Sequence, residues 1–316
     1  MPDSEEPWRP RRIAAFLGLG LLLYAGLFLW SGRVLETHGD RNPFFRIAHA
    51  PERSDWIVLG ASHALPLGFA NVPETLRTAT GRSTLTLAVA GGGPAVTRTV
   101  AERYFADRGA AGVLLVIDAF AFADPRWNAA RLGDADLLPK IPADLRTLAV
   151  LARAVPRGLP LPVFLAQAAG AARINDRTRF RPDRWEAEAR FDTAPRPSDA
   201  ADAARIAYLY PGPPSEAAIA QGLADTEAVI RLARRHGARV ALVFPPLPDR
   251  LRARLPVIPG LDARLADLAA RLDVPLLDHG ALIPEPRFYF DSDHLNRAGV
   301  ALWLERGLAA LLGSTG

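Results

Sequence analysis

Cysteine is absent from the 316 residues. That removes disulfides, thiolate metal sites and a cysteine nucleophile together. It leaves the compartment open, because an exported protein can dispense with cysteine. Lysine is nearly absent too. The 38 basic side chains face 34 acidic ones for a net charge of +4, so a pI near 9.9 reflects the high pKa of arginine and not a basic patch. No arginine cluster is interleaved with aromatics, which argues against a nucleic-acid partner. There is no internal repeat or heptad, and no His/Asp/Glu spacing suggests a metal. What remains is 49% apolar and 23% charged, the balance of a globular protein with one large or two small domains.

The longest hydrophobic run lies near the start. "RPRRIAAFLGLGLLLYAGLFLWSGR" carries no charge from Ile13 to Trp30. As a helix that segment spans ~27 Å, close to a hydrocarbon core of about 30 Å. Tyr24 and Trp30 lie toward one end, where interfacial aromatics belong. A cleavable signal peptide is the competing reading, but Phe28-Leu29-Trp30 occupies the place where small residues would precede cleavage. The expected organisation is a cytoplasmic tail over 1–12, a membrane anchor over 13–31, a polar connector over 32–54 and an α/β domain over 55–316. Arg9, Arg11 and Arg12 precede the span while Arg33, Arg41 and Arg46 follow it, so positive charge alone does not orient it. The upstream arginines are nearer the membrane, which favours an inner-membrane, single-pass anchor with the domain on the extracytoplasmic side.

Beyond the connector, short apolar runs alternate with helical periodicity. "DWIVLG", "STLTLAVAGGGP", "GVLLVIDAF", "ARVALVFPP" and "VPLLDHG" read as five strands. A helical stretch reaching Ala79, "AVTRTVAERYFADRG" with Gly109 as its stop, "PSEAAIAQGLADTEAVIRLARRHG", "LDARLADLAARLD" and "NRAGVALWLERGLAALLG" read as the intervening and final helices. That rhythm predicts a three-layer α/β fold, a parallel sheet flanked by helices. Between about 124 and 213 it fails in proline-rich and polar segments, which read as an insertion over the core.

Ligands of open parallel sheets bind beyond the carboxyl ends of the strands, so those ends are where chemistry is sought. The first strand ends in "VLGASHA", with Ser62 opening a helix whose N–H groups favour negative charge. The second runs into "AVAGGGP", where glycine allows close backbone approach and offers N–H donors. The third ends in Asp118. The last leads to "DSDHLNRAG", Asp291 to Gly299. Each has a plain structural reading. Ser62 can cap a helix, the glycines can make a turn, Asp118 can cap a strand, and Asp291 and Asn296 can make a turn and a cap. His63, next to Ser62, is expected to point elsewhere. The conjunction, in this order along an α/β chain, is what raises the prospect of a catalytic set.

With those blocks in place, the chain resembles the SGNH (GDSL-like) hydrolase superfamily, in the membrane-anchored branch similar to alginate O-acetyltransferase accessory proteins. "VLGASHA", "LAVAGGGP" and "FDSDHLNRAG" carry the resemblance across most of residues 55–313, the insertion unmatched. It implies a Ser-His-Asp triad acting on an acyl ester without cofactor or metal. Ser62 would attack the carbonyl, His294 would serve as general base, and Asp291 would orient the imidazole. The N–H groups of Ser62 and Gly91 would form the oxyanion hole, one such donor being worth about 3–4 kcal/mol of barrier. Gly92, His63 and Asp118 are candidates for substrate contact.

One feature departs from that pattern. The superfamily supplies an asparagine to the oxyanion hole from the third block, and here the strand end reads "VIDAFAF". A carboxylate facing a developing oxyanion is repulsive unless protonated. Asp118 therefore faces away, or binds substrate, or leaves the hole to backbone donors. The implied function is serine acyl chemistry, hydrolysis or O-acyl transfer to an envelope polysaccharide, with a membrane-bound acyltransferase as a candidate partner. A non-catalytic envelope protein that keeps the fold is the alternative. A nucleotide-binding role for the glycine loop ranks last, since no Walker lysine or ribose-binding pattern accompanies it.

Overall fold

A computed structural model describes residues 9–38, 42–134, 137, 141–142, 144–176, 180 and 186–313. Residues 1–8 of the expected tail, 39–41 in the connector, 135–136, 138–140, 143, 177–179 and 181–185 of the insertion, and 314–316 lie outside the described residues.

The five expected strands form: β1 (Arg53–Leu59), β2 (Thr84–Thr86), β3 (Gly109–Val116), β4 (Arg239–Phe244) and β5 (Leu276–Asp278). They pair in parallel in the order β2-β1-β3-β4-β5. The chain order reverses beside β1, so the crevice at the carboxyl ends of β1 and β3 is the expected ligand site. Alternate residues on each strand feed different cores, as a period of two requires. Ile57, Leu59, Val113, Leu115, Val240 and Leu242 enter the larger one, together with the helices Pro94–Phe105, Glu216–Arg235 and Leu261–Arg271. Trp56, Val58, Leu114, Val116, Ala241 and Val243 enter the other, under Val72–Thr80 and the C-terminal helical segments from Arg297 to Gly313. This is a three-layer α/β fold with both faces of the sheet covered.

Two local readings are corrected. The helix expected after β1 is divided into a 3-10 stretch, Ser62–Gly68, and the helix Val72–Thr80, because Pro66 offers no N–H and Ala70 turns at φ +44°. The helix Pro94–Phe105 ends before Gly109, and Gly109 instead opens β3. The polar connector is itself partly helical. The N-terminal helix runs from Arg9 to His38, and Pro43–Ala48 is helical, capped by Asn42.

That N-terminal helix is long and apolar enough to cross a membrane. Its apolar stretch has a mean hydropathy of 2.1 and none of it is buried. Only its later part meets the protein, with Ser31 and Leu35 buried. The insertion contains the helices Leu145–Ala154, Leu161–Ala168, Ala171–Asn175 and Asp199–Leu209. Arg250 ties the last of these to the core through Asp202 and Asp199, at 2.7 and 2.9 Å.

Candidate active site

Gly60 carries β1 into the crevice. Its φ of +144° and a Cβ position only 2.7 Å from the Val116 carbonyl leave no room for a side chain, so the chain bends sharply and presents Ser62 one residue after Ala61. Among the described residues neither the Ser62 hydroxyl nor its N–H makes a hydrogen bond. The glycine loop divides its donors. Gly92 N–H is taken by Val89 O at 2.8 Å and Gly93 N–H by Trp127 O at 2.6 Å, while Gly91 N–H has no such partner among the described residues. Gly91 sits at φ +64° with the Trp127 ring 3.1 Å from its Cβ position. Only glycine fits there without strain.

The DSDHLNRAG segment serves both of its readings. Asn296 Oδ1 caps the helix Arg297–Trp303 by accepting from Gly299 N–H at 3.0 Å. Asp291 Oδ1 accepts from the backbone N–H groups of Asp293 and His294 at 3.1 and 2.8 Å. That turn points its carboxylate at His294 Nδ1, 3.0 and 2.9 Å from Oδ1 and Oδ2. Asp293, absent from the expected set, brings a second carboxylate to 3.1 Å from the same nitrogen. Burial disfavours charge on His294, but Asp293 and Asp291 outweigh it and raise its pKa above the usual histidine value. In the neutral ring, a proton held on Nδ1 by these carboxylates leaves the lone pair on Nε2. There Arg205 Nη2 approaches at 3.4 Å, while Arg205 Nε donates to Asp293 Oδ2 at 2.7 Å.

His63 points away from the Ser62 cavity, as expected. It is wedged between carboxylates, Nδ1 against Asp118 Oδ1 and Nε2 3.2 Å from Asp293 Oδ2, with its ring 4.9 Å from that of His294. Desolvation opposes its charge, yet Asp118 and then Asp293 push its pKa up to about 10. The order Asp118–His63–Asp293–His294–Asp291 is thus one buried network of acids and imidazoles. Among the described residues His63, Asp293 and His294 also form a group whose donor atoms lie within 4.8 Å of one another, close enough to hold a metal ion. Arg205 already places a cation on Asp293, and His63 is held charged, so the network balances its carboxylates with protons and arginine. A metal would have to displace both.

Ser62, Gly91, Asp291 and His294 line one cavity of about 840 Å³, with Arg126, Arg131, Arg190 and Arg205 in its wall. The structure brings the sequence-predicted nucleophile, base, acid and backbone donor to one space. It draws no hydrogen bond between Ser62 and His294 among the described residues. His63 and Asp118 line a separate, largely apolar cavity of about 380 Å³ with Phe244, Leu247 and Leu251. Gly92 faces neither, lying instead beside a narrow space with Asp118 behind the loop. Of the three alternatives for Asp118, the side chain turns to His63.

Sequence reasoning missed Asp293, Arg205 and Arg126. Asp293 stood inside the quoted motif as one acid of a turn. Arg205 comes from the insertion, where no periodicity marked it. Arg126 lies over the rings of Trp127 and Tyr208, 4.3 and 5.2 Å from their centroids. Its Nε and Nη2 are buried with no hydrogen-bond partner. The other three arginines each have a carboxylate: Asp134 at 3.0 Å, Asp291 at 3.8 Å and Asp293 at 2.7 Å.

No protein-family model matches this chain, and no curated protein matches it. Among solved structures it is similar to "a putative acylhydrolase" from Bacteroides fragilis NCTC 9343, with 11% sequence identity and a TM-score of 0.43 over 85% of this chain and 95% of that one. Likeness at that level carries no argument about activity, and the chemistry is read from the site itself.

Proposed function

We propose that the chain is a membrane-anchored serine enzyme of acyl esters, in which Ser62 is the nucleophile, His294 the general base and Asp291 the residue that fixes its tautomer. The observation that carries this reading is the meeting, in one cavity, of an unbonded serine hydroxyl, the unbonded N–H groups of Ser62 and Gly91, and an imidazole whose Nδ1 is held by carboxylates. His294 Nε2 takes the Ser62 proton as Oγ adds to the carbonyl. The oxyanion is held by the two N–H groups. Collapse expels the alcohol, which receives that proton, and leaves an acyl-serine. Water or a carbohydrate hydroxyl then reverses the sequence, giving hydrolysis or O-acyl transfer. Arg205 shifts off Nε2 to admit the hydroxyl and keeps its bond to Asp293.

The preferred substrate is an acylated envelope carbohydrate, with the N-terminal helix as a single-pass inner-membrane anchor, the domain outside the cytoplasm and a membrane-bound acyltransferase as the donor-side partner. The unanswered Arg126 guanidinium suits a carboxylate or phosphate on that substrate, because planar guanidinium groups pair with such anions. A binding protein without catalysis is the second reading, favoured by the approach of Arg205, rather than Ser62, to His294 Nε2.

A fluorophosphonate probe separates the two. Wild type is expected to label at Ser62, while Ser62→Ala and His294→Ala each abolish labelling and the double variant is no worse than either. Folded wild-type protein that never labels would leave the binding protein. A C-terminal alkaline phosphatase fusion is expected to be active, and a silent one beside an active cytoplasmic reporter would reverse the orientation.

A further inference from the structure

The insertion hairpin Leu161–Ala168 and Ala171–Asn175 has no part in the cavity chemistry, and its composition is unusual for a surface. Residues 158–172, GLPLPVFLAQAAGAA, carry no charged side chain. Leu161 and Leu165 are 53% and 54% exposed, and Ala168 and Ala169 at the tip are exposed as well. The tip is fastened to the N-terminal helix. Tyr24 donates its hydroxyl to Ala169 O. Gly170, at φ +77°, makes room for the Phe28 ring, and Gly32 for the Arg173 guanidinium.

Those contacts fix a depth. The contacts shift from Tyr24 and Phe28 at the tip to Gly32 at Arg173, so the second limb climbs beside the helix toward its C-terminal end. Tyr24 lies about 9 Å short of Trp30 along the axis, at about 1.5 Å per residue, and Trp30 ends the apolar run. If that segment lies in the bilayer, a tip held at Tyr24 lies in it too. An apolar surface sunk about 5–10 Å below the headgroups is the usual depth of an interfacial helix.

We infer that the Leu161–Ala169 face is a second membrane contact, occupied by phospholipid acyl chains of the leaflet from which the domain emerges. The inference rests on the reading of the N-terminal helix as a membrane span, and its continuity with that helix is what names lipid as the occupant. The contact holds the α/β domain at one height and one rotation against the bilayer, which a single helix on a connector does not do.

The absence of native cysteine makes the test direct. The full chain is reconstituted in vesicles of phosphatidylcholine and phosphatidylglycerol, with a bimane label on Leu19→Cys, Ala168→Cys or Val257→Cys, and quenched by a phospholipid carrying a mid-chain nitroxide. Leu19, 58% exposed in the span, and Ala168 are expected to lose at least about half their emission at a depth within the acyl region, while Val257, 85% exposed, keeps its own. Ala168 behaving like Val257 overturns the inference, whether the face is bare or awaits a protein. Leu19 failing to quench removes the span, independently of the result at Ala168. Leu165→Glu is expected to lift Ala168 out of quenching range and leave Leu19 quenched with the melting curve unchanged. Persistence of Ala168 quenching in that variant would also overturn it.

Discussion

His63 is the residue whose removal has the widest consequence, because two buried carboxylates depend on its charge. Its folded pKa of about 10 lies above the unfolded histidine value near 6.5. Between those pH values the folded state binds the extra proton. The stabilisation is therefore complete below about pH 6.5 and is lost as pH rises toward 10. Melting curves taken across that window are expected to fall steadily. His63→Gln is expected to flatten the slope and lower stability by about 3–5 kcal/mol, the cost of leaving a buried charge without its partner. A slope unchanged in the variant would show that His63 is neutral. Asp118→Asn bears on the same network. Asp118 holds His63 and does not face the Ser62 cavity, so the amide is expected to bring no gain in p-nitrophenyl acetate turnover. It is also expected to reduce the alkaline loss of stability. At Arg126 the expectation concerns specificity. Arg126→Gln should reduce kcat/KM for an ester carrying a carboxylate by about tenfold, the scale of one lost charge-assisted pair, and leave a neutral ester unaffected.

At the scale of elements, Gly60 joins the sheet to the site. Gly60→Ala forces a Cβ against the Val116 carbonyl at a backbone angle that alanine rarely adopts. It is expected to destabilise by more than about 1 kcal/mol and to reduce Ser62 labelling even where the protein still folds. Retained labelling at wild-type stability would show that the bend is tolerant. The same bend marks where the sequence was legible. Five strands and their order of appearance were readable because a parallel sheet buried on both faces demands continuous apolar runs. The segment after β1 read as one helix because its apolar spacing is helical, and Pro66 divided it. The pairing of Asp291 with His294 in DSDHLNRAG was legible because they are three residues apart on one turn. Asp293 and Arg205 were not, since their partnership joins positions 88 apart through an insertion with no periodicity. His63 does point elsewhere than Ser62, as expected, and lines a different cavity. Its carboxylate partners were not legible, because a 3-10 turn brings it to Asp118 and Asp293 from distant parts of the chain.

For the whole molecule, the sheet joins the two ends of the chain, and Trp56 shows how late that arrangement is completed. Its indole N–H donates to Leu312 O at 2.9 Å, and Gly112 on β3 leaves its ring the room it fills. A strand made near the beginning of synthesis therefore waits for almost the last residues of the chain. A protein ending after Trp303 is expected to express as protease-sensitive material without Ser62 labelling, and a compact, labelled truncation would contradict this. The consequence is one of timing. Ser62 leaves the ribosome early, while Asp291, His294 and the strip that covers Trp56 follow more than two hundred residues later. A nascent chain thus carries an open sheet face, and a Ser62 without its imidazole neighbour, until translation ends, so any chaperone that shields that face lets go only once the C-terminus has arrived.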